Sequence, residues 1–260
     1  MIYQLDGVSR ENGGREVLRG VSFSVSQGER VVLLGVNGCG KTTLLKLLDG
    51  LTFAARGTVR YAGRVLDRPA LEDAAFHRRF RGEVALLFQN VDAMLFNPTV
   101  ADEIAFGPRQ LGLPGVEERV ARWAEVFGVT PFLDRPPFEL SGGEKKRVAL
   151  AAILAIEPKV LLLDEPSANL DPASSALLVD VLAGLDGVTT LAATPNASMA
   201  EELGSRALLL GPGGSGVLYD GPPQDLLGDE RLLVESGLAH RHAHRHGGRP
   251  HVHPHLHDAD

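Results

Sequence analysis

An α/β fold with a parallel sheet covered on both faces is predicted by three features of the chain. Four short apolar runs, Val31–Leu34, Val84–Phe88, Val160–Leu163 and Thr189–Ala193, have the length and continuity of fully buried strands. Helix-like stretches, Thr42–Leu48, Val116–Phe127, Glu144–Ile156 and Ala173–Leu185, lie between and after them. Parallel strands need such crossovers, and helices on both faces bury the sheet. Thirty glycines and sixteen prolines cut the chain into these short pieces.

Taken in order, Val21–Val25 alternates apolar and polar residues, as a half-buried strand does. Val31–Leu34 is bounded by Glu29-Arg30 and Gly35, and Thr42–Leu48 follows as a helix. Near the end, Leu208–Leu210 and Gly216–Tyr219 read as a hairpin, with Gly211-Pro212-Gly213-Gly214 as its turn. A short helical extension is expected near Pro222–Gly237. Composition then changes: eight of the nine histidines lie in the last 21 residues. That segment has almost no apolar content to offset its ordering entropy, so disorder is expected. No internal repeat is present.

The composition removes several classes of function. The chain has 260 residues, 44% hydrophobic and 23% charged, which suits a folded soluble protein able to bury a large core. One cysteine rules out a disulfide framework and fits a reducing compartment. A net charge of −7 argues against a general nucleic-acid binder. The start, MIYQLDGVSR, lacks a basic-then-apolar export pattern. The longest apolar run, Val148–Ile156, is about half of the roughly eighteen residues that span a bilayer. A membrane role is therefore expected to need a partner that supplies the membrane part.

The chemistry begins at Gly35-Val36-Asn37-Gly38-Cys39-Gly40-Lys41-Thr42, which matches GxxxxGK[ST] between a buried strand and a helix. Its glycines let backbone N–H groups turn inward around phosphates, and the helix N-terminus adds its dipole. Lys41 is expected on the β- and γ-phosphates, the Thr42 hydroxyl on Mg²⁺, and Thr43 beside it in the first helical turn. Cys39 reads mainly as a small loop filler. A second half appears at Val160–Asp164, an apolar strand ending in a carboxylate, the Walker B pattern. Asp164 is expected to hold Mg²⁺ through water. Glu165 follows, where a carboxylate can orient or deprotonate an attacking water. ATP and Mg²⁺ are the implied cofactors.

Leu140-Ser141-Gly142-Gly143-Glu144 resembles the signature motif of ABC-type ATPases, with Glu in the last place. Gln89 at a strand end, Asp164-Glu165-Pro166 and Ser167-Ala168-Asn169-Leu170-Asp171 complete an ordered set, and no NKxD-type guanine motif is present. Phe106-Gly107-Pro108 and Asp134-Arg135-Pro136-Pro137-Phe138-Glu139 look more closely like the ATPase subunits of energy-coupling-factor and cobalt/nickel importers. The resemblance covers about residues 1–225. It implies a P-loop NTPase fold with a RecA-like parallel core, an antiparallel β subdomain and an inserted helical subdomain at about 91–156. A short extension over 226–238 and the histidine-rich segment 239–260 follow. It also implies ATP sandwiched between two subunits, with Ser141, Gly142, Gly143 and Glu144 meeting the partner's nucleotide. Gln89 would contact Mg²⁺ or the attacking water and begin the segment that meets a membrane coupling subunit. Beside that subunit stands a substrate-capture component, with the ATPase peripheral on the cytoplasmic face. Lys145, Lys146 and Arg147 read most simply as a solvated helix face.

Two places depart from the family's pattern. The Thr-His-Asp expected after the last core strand is Thr194-Pro195-Asn196, so the histidine that would touch the γ-phosphate is absent. His77 is not an obvious substitute. The loop Val8–Arg15 has no aromatic to stack on adenine; Arg10 or Arg15 is the available cation. The departure at Pro195 favours an alternative, a nucleotide-gated subunit with little turnover of its own. A soluble ABC ATPase without a transport role is a further rival. In the tail, His240, His242, His244, His246, His251, His253, His255 and His257 can present imidazoles to Ni²⁺, Co²⁺ or Zn²⁺, or the tail is low-complexity and binds them incidentally.

Overall fold

In the computed structural model of the chain, residues 1–246 and 249–256 are described, with side chains described as far as Ala239. In chain order come β1 (Tyr3–Asn12), β2 (Arg15–Val25), β3 (Arg30–Leu34), α1 (Lys41–Leu48), β4 (Arg56–Tyr61), β5 (Arg64–Val65), α2 (Arg68–Glu72) and α3 (Ala74–Glu83). Then follow β6 (Val84–Leu87), α4 (Val100–Leu111), α5 (Val116–Val126), α6 (Gly142–Leu154), β7 (Val160–Asp164), α7 (Pro172–Ala183) and β8 (Thr189–Thr194). The chain ends through α8 (Ala200–Leu203), β9 (Arg206–Leu210), β10 (Val217–Gly221), α9 (Pro223–Gly228), α10 (Glu230–Glu235), β11 (Ala239–His246) and β12 (Arg249–Leu256). Two compact units are present: Met1–Arg68 with the chain from Thr189 onward, and Pro69–Val188.

In the first unit, β3 runs parallel to β8 and β9, and β10 closes on β9 antiparallel, giving the order β10-β9-β3-β8. Val31 to Leu34 are all buried, as their unbroken apolar run requires of a strand covered on both faces. A second sheet, β2-β1-β4-β5, is wholly antiparallel. Its β1–β2 hairpin turns through Gly13 and Gly14, both at positive φ (57° and 79°), the geometry that matches strand twist in a two-residue turn. Helix α1 buries Leu44, Leu45, Leu47 and Leu48, and the Tyr3 hydroxyl donates to the Leu48 carbonyl across 2.8 Å.

In the second unit β6 and β7 pair in parallel, Val84 opposite Val160 through Leu87 opposite Leu163. Lys159 fastens the start of this pair: its N–H donates to the Glu83 carbonyl at 2.8 Å and its ammonium to the Glu83 carboxylate at 2.6 Å. Helices α4, α5 and α6 pack on one another. At Gly107 of α4 a Cβ would stand 2.6 Å from Ile156 Cγ2, so glycine permits the close approach of that helix to the end of α6.

The expected strands and helices all appear, most with ends shifted by a residue or two, while the strand expected over Val21–Val25 begins six residues earlier, at Arg15. Helix α4 falls inside the helical region expected at about 91–156, but the sequence pattern does not single it out as an element. Thr99 caps its start by accepting from Asp102 N–H, and the helix continues through Pro108. Strand β1 is absent from the sequence expectation, since Asp6-Gly7 and Ser9-Arg10 interrupt its alternation. The largest difference is the tail. Where disorder is expected over 239–260, the backbone of β11 and β12 forms an antiparallel pair, with His240 opposite His255 and His242 opposite His253. The period of two in its histidines is the period of a strand. His257 and the imidazoles of the other tail histidines lie outside the described residues.

Candidate functional site

The first unit carries the loop from β3 to α1. Gly35, Gly38 and Gly40 sit at φ 146°, 81° and 108°, conformations that L side chains rarely adopt. Space closes the case at two of them. A Cβ on Gly35 would lie 2.6 Å from Cys39 Sγ and 2.8 Å from the Leu210 carbonyl oxygen. One on Gly40 would lie 2.6 Å from the Val17 carbonyl oxygen. Glycine is also the N-cap of α1, so no capping side chain stands over its first turn at Lys41, Thr42 and Thr43. The buried Lys41 ammonium donates to the Gly35 carbonyl at 2.6 Å and to Val36 at 3.3 Å. A cation held over a ring of backbone around a helix N-terminus is an anion cradle. Cys39 is buried in the loop, which pushes its thiol pKa up although Lys41 pulls it down. Asn37 lies on the same loop and is exposed.

The second unit carries the other motifs. Ser141 is the N-cap of α6 in a complete capping box. Its hydroxyl accepts from Glu144 N–H at 3.4 Å, and the Glu144 carboxylate accepts from Ser141 N–H at 2.8 Å and from its hydroxyl at 2.7 Å. Those bonds, the hydroxyl first, hold the Glu144 carboxyl below the usual glutamate range. Gly142 and Gly143 thus lie on a helix start that is locally closed by its own side chains. Asp164 ends β7 buried, and Glu165 follows with φ 48°, a left-handed conformation unusual for a non-glycine residue. Gln89 lies two residues beyond β6 and lines a cavity of about 560 Å³ with Gly142, Lys146 and Asn169.

The run Lys145-Lys146-Arg147 corrects the sequence expectation of a solvated face. Lys146 is 2% exposed and donates to the Glu165 carbonyl at 2.9 Å. Burial pushes its ammonium pKa down, against the pull of Glu165 and Asp164. Lys145 pairs with Asp92 at 2.8 Å, and Arg147 donates to the Phe127 carbonyl at 3.0 Å. A signal was present: Lys146 stands at helical spacing from the buried Ala149, Leu150 and Leu154, so it lies on the apolar stripe. A second missed residue is Glu103, a buried carboxylate that accepts from Phe96 N–H at 2.9 Å and Asn97 N–H at 2.7 Å and so holds the loop before α4.

The departures also resolve. Asn196 follows Pro195 as the cap of a short 3₁₀ turn; its side-chain oxygen accepts from Ser198 N–H at 2.9 Å and from the Ser198 hydroxyl at 2.7 Å. Arg10 donates to the Phe53 carbonyl at 3.0 Å, and Arg15 is exposed at the hairpin turn. His77 is exposed on α3, where it accepts from Arg81 at 3.4 Å.

A glycine-built phosphate cradle after a buried parallel strand, with a carboxylate-ended strand and a capped serine–glycine–glycine helix start, defines an ATPase of the ATP-binding-cassette class. Comparison with known proteins agrees: a family model described as ABC transporter matches residues 18–168, and the chain belongs to that family. It is 45% identical over 222 residues to an ABC transporter ATP-binding protein of Streptomyces coelicolor, covering 85% of this chain and 82% of that one. It is 48% identical over 175 residues to the nickel import ATP-binding protein NikO of Rhodobacter capsulatus, covering 66% of this chain and 69% of that one. Among solved structures, CbiO1 of Clostridium perfringens, part of the ABC transporter complex CbiONQ, superposes with a TM-score of 0.75 at 27% identity, over 91% of this chain and 94% of that one.

Proposed function

We propose that this chain is the ATP-hydrolysing subunit of an importer for a transition-metal ion, cobalt or nickel, and that ATP closes two such subunits on two nucleotides. The observation that carries the nucleotide reading is the cradle: added Cβ atoms would collide at Gly35 and Gly40, and Lys41 lies across the loop. Thr42, Asp164 and Gln89 offer hydroxyl, carboxylate and amide oxygens, the donors Mg²⁺ prefers. Mg²⁺ held by such donors would neutralise charge on the nucleotide's phosphates. Lys41 and the loop amides bind the phosphates, and Glu165 takes the proton of the water that attacks the γ-phosphorus. Products are ADP and phosphate. Ser141, Gly142 and Gly143 serve the nucleotide of the partner subunit.

The metal cargo is supported by the likeness to the nickel import protein and by the histidine-rich tail. No helix among the described residues is long and apolar enough to cross a membrane. We assign the membrane coupling subunit to the exposed pair Phe96 and Phe106 of the second unit, whose rings meet edge to face at 4.9 Å. The test of the reading is Glu165→Gln. This variant keeps the phosphate contacts and loses the base, so an ATP-dependent dimer should accumulate on size exclusion. Hydrolysis at the parent rate would show that Glu165 is not the catalytic carboxylate.

A second reading, a nucleotide-gated subunit with little turnover, is favoured by one observation. Pro195 stands where the family's pattern has a histidine and offers no side-chain donor to the γ-phosphate.

A further inference from the structure

We propose that Lys146 is a positioning residue for hydrolysis, its buried ammonium holding the Glu165 peptide in the left-handed conformation that aims the Glu165 carboxylate. This rests on the reading of Glu165 as the group that handles the water.

The argument starts from where β7 stops. Asp164 is the last residue of the strand, and Glu165 turns the chain at φ 48°. A non-glycine residue in that region carries a conformational cost on the order of 1–3 kcal/mol and persists only where its surroundings hold it. Here the hold is visible. The Glu165 carbonyl oxygen accepts from Lys146 Nζ at 2.9 Å and from Ala168 N–H at 3.2 Å. With its carbonyl pinned twice, the peptide after Glu165 cannot rotate freely, and the direction of the Cα–Cβ bond is set with it.

Lys146 is an expensive way to make that bond. An ammonium taken almost wholly out of water loses hydration, and the pull of Asp164 and Glu165 does not fully restore it. A stability role alone would be served by an apolar residue on the buried stripe of α6. The same helix begins at Ser141, so Lys146 joins the signature turn rigidly to the backbone of Glu165, five residues along. Beyond Glu165, Asn169 is also left-handed (φ 64°), and its carbonyl oxygen would lie 3.4 Å from a Cβ on Gly143. The loop Glu165–Asn169 is therefore bonded to α6 at Glu165 and lies close against its first turn at Asn169.

The experiment measures initial rates of phosphate release from γ-labelled ATP over a range of ATP concentrations, on the full chain. Lys146→Met keeps the length of the side chain and removes its donors. Its kcat should fall by about 10²-fold, the loss that a misplaced reacting group produces, with KM little changed. Lys146→Arg keeps a cationic donor and should recover much of that loss. In a Glu165→Gln background, Lys146→Met should add no further loss, because both act through one carboxylate. Fluorescence of Trp123, the one tryptophan and a residue of the same unit, and the melting temperature verify the fold. If the Met variant does not fold, Lys146→Gln, which keeps an N–H donor, takes its place and should lose less kcat than removing Glu165's carboxylate. Unchanged kcat in Lys146→Met beside an inactive Glu165→Gln overturns the inference alone, as would losses that multiply in the double variant. Parent-rate hydrolysis in Glu165→Gln overturns the reading of Glu165 and the inference with it.

Discussion

Lys41 Nζ donates to the carbonyl oxygen of Gly35 across 2.6 Å, so the cation of the phosphate loop bridges that loop from its last residues to its first. In the nucleotide site proposed above, this bond would place positive charge over the backbone that receives the phosphate oxygens. Lys41→Met should keep the fold and lose a charge-assisted bond of about 1.5–3 kcal/mol, a drop in ATP affinity of roughly 10- to 100-fold. Equilibrium binding of a fluorescent ATP analogue measures it. Affinity equal to the parent's would remove Lys41 from the phosphate site.

Gly40→Ala tests the cradle itself. The new Cβ meets the Val17 carbonyl at 2.6 Å and Leu18 Cδ2 at 2.7 Å, at a φ of 108°. Strain of this kind costs on the order of 1–3 kcal/mol before any clash is relieved. The unfolding free energy from urea titration should fall by about that much, moving the midpoint lower, with nucleotide binding weakened as well. A midpoint within error of the parent's contradicts the geometry.

Glu144 makes the start of α6 acid-sensitive. Bonds from the Ser141 hydroxyl and N–H lower its folded pKa relative to the unfolded chain. A depressed carboxyl contributes stability above its unfolded pKa, about 4.3, and loses it as pH falls through the folded value. Glu144→Gln removes that dependence. The gap between the urea midpoints of parent and variant should be largest near neutrality and shrink in acid. Because the site is partly exposed, the gap itself is small. A gap that widens in acid reverses the sign and refutes the assignment.

Pro195 predicts slow turnover. A missing preorganised donor to transferring phosphate costs on the order of 10²–10³ in rate. Binding should be nearly normal, since the cradle is intact. Pro195→His should raise kcat clearly and move ATP affinity little, as read by phosphate release and nucleotide titration. Brisk turnover in the parent, unchanged in the variant, would mean another group fills the role.

The tail prediction concerns metal. Deleting residues 240–260 should leave folding and ATP binding intact and remove most Ni²⁺ or Co²⁺ binding near neutral pH, where imidazoles are largely uncharged. Calorimetric titration with the metal salt decides it; equal stoichiometry with and without the tail excludes the histidines as ligands.

Local pattern alone determined a great deal of this protein. Unbroken apolar runs made Val31–Leu34 and Val160–Leu163 buried strands, and GxxxxGK[ST] between strand and helix placed Lys41 and Thr42, because those signals depend on neighbours within a few residues. The resemblance placed a helical region over about 91–156, but the bounds of the helix Val100–Leu111 and the packing against Ile156 that explains Gly107 came only from the tertiary structure. The burial of Lys146 was decided by tertiary structure, although its place on the stripe of α6 hinted at it. In sequence it is the middle of a basic run, which by itself favours water. Only the return of the chain at Glu165 supplies a carbonyl oxygen and two nearby carboxylates for that ammonium, and residues nineteen positions apart become one arrangement. Sequence spacing reports what lies along one element; which groups share a desolvated space depends on how elements pack.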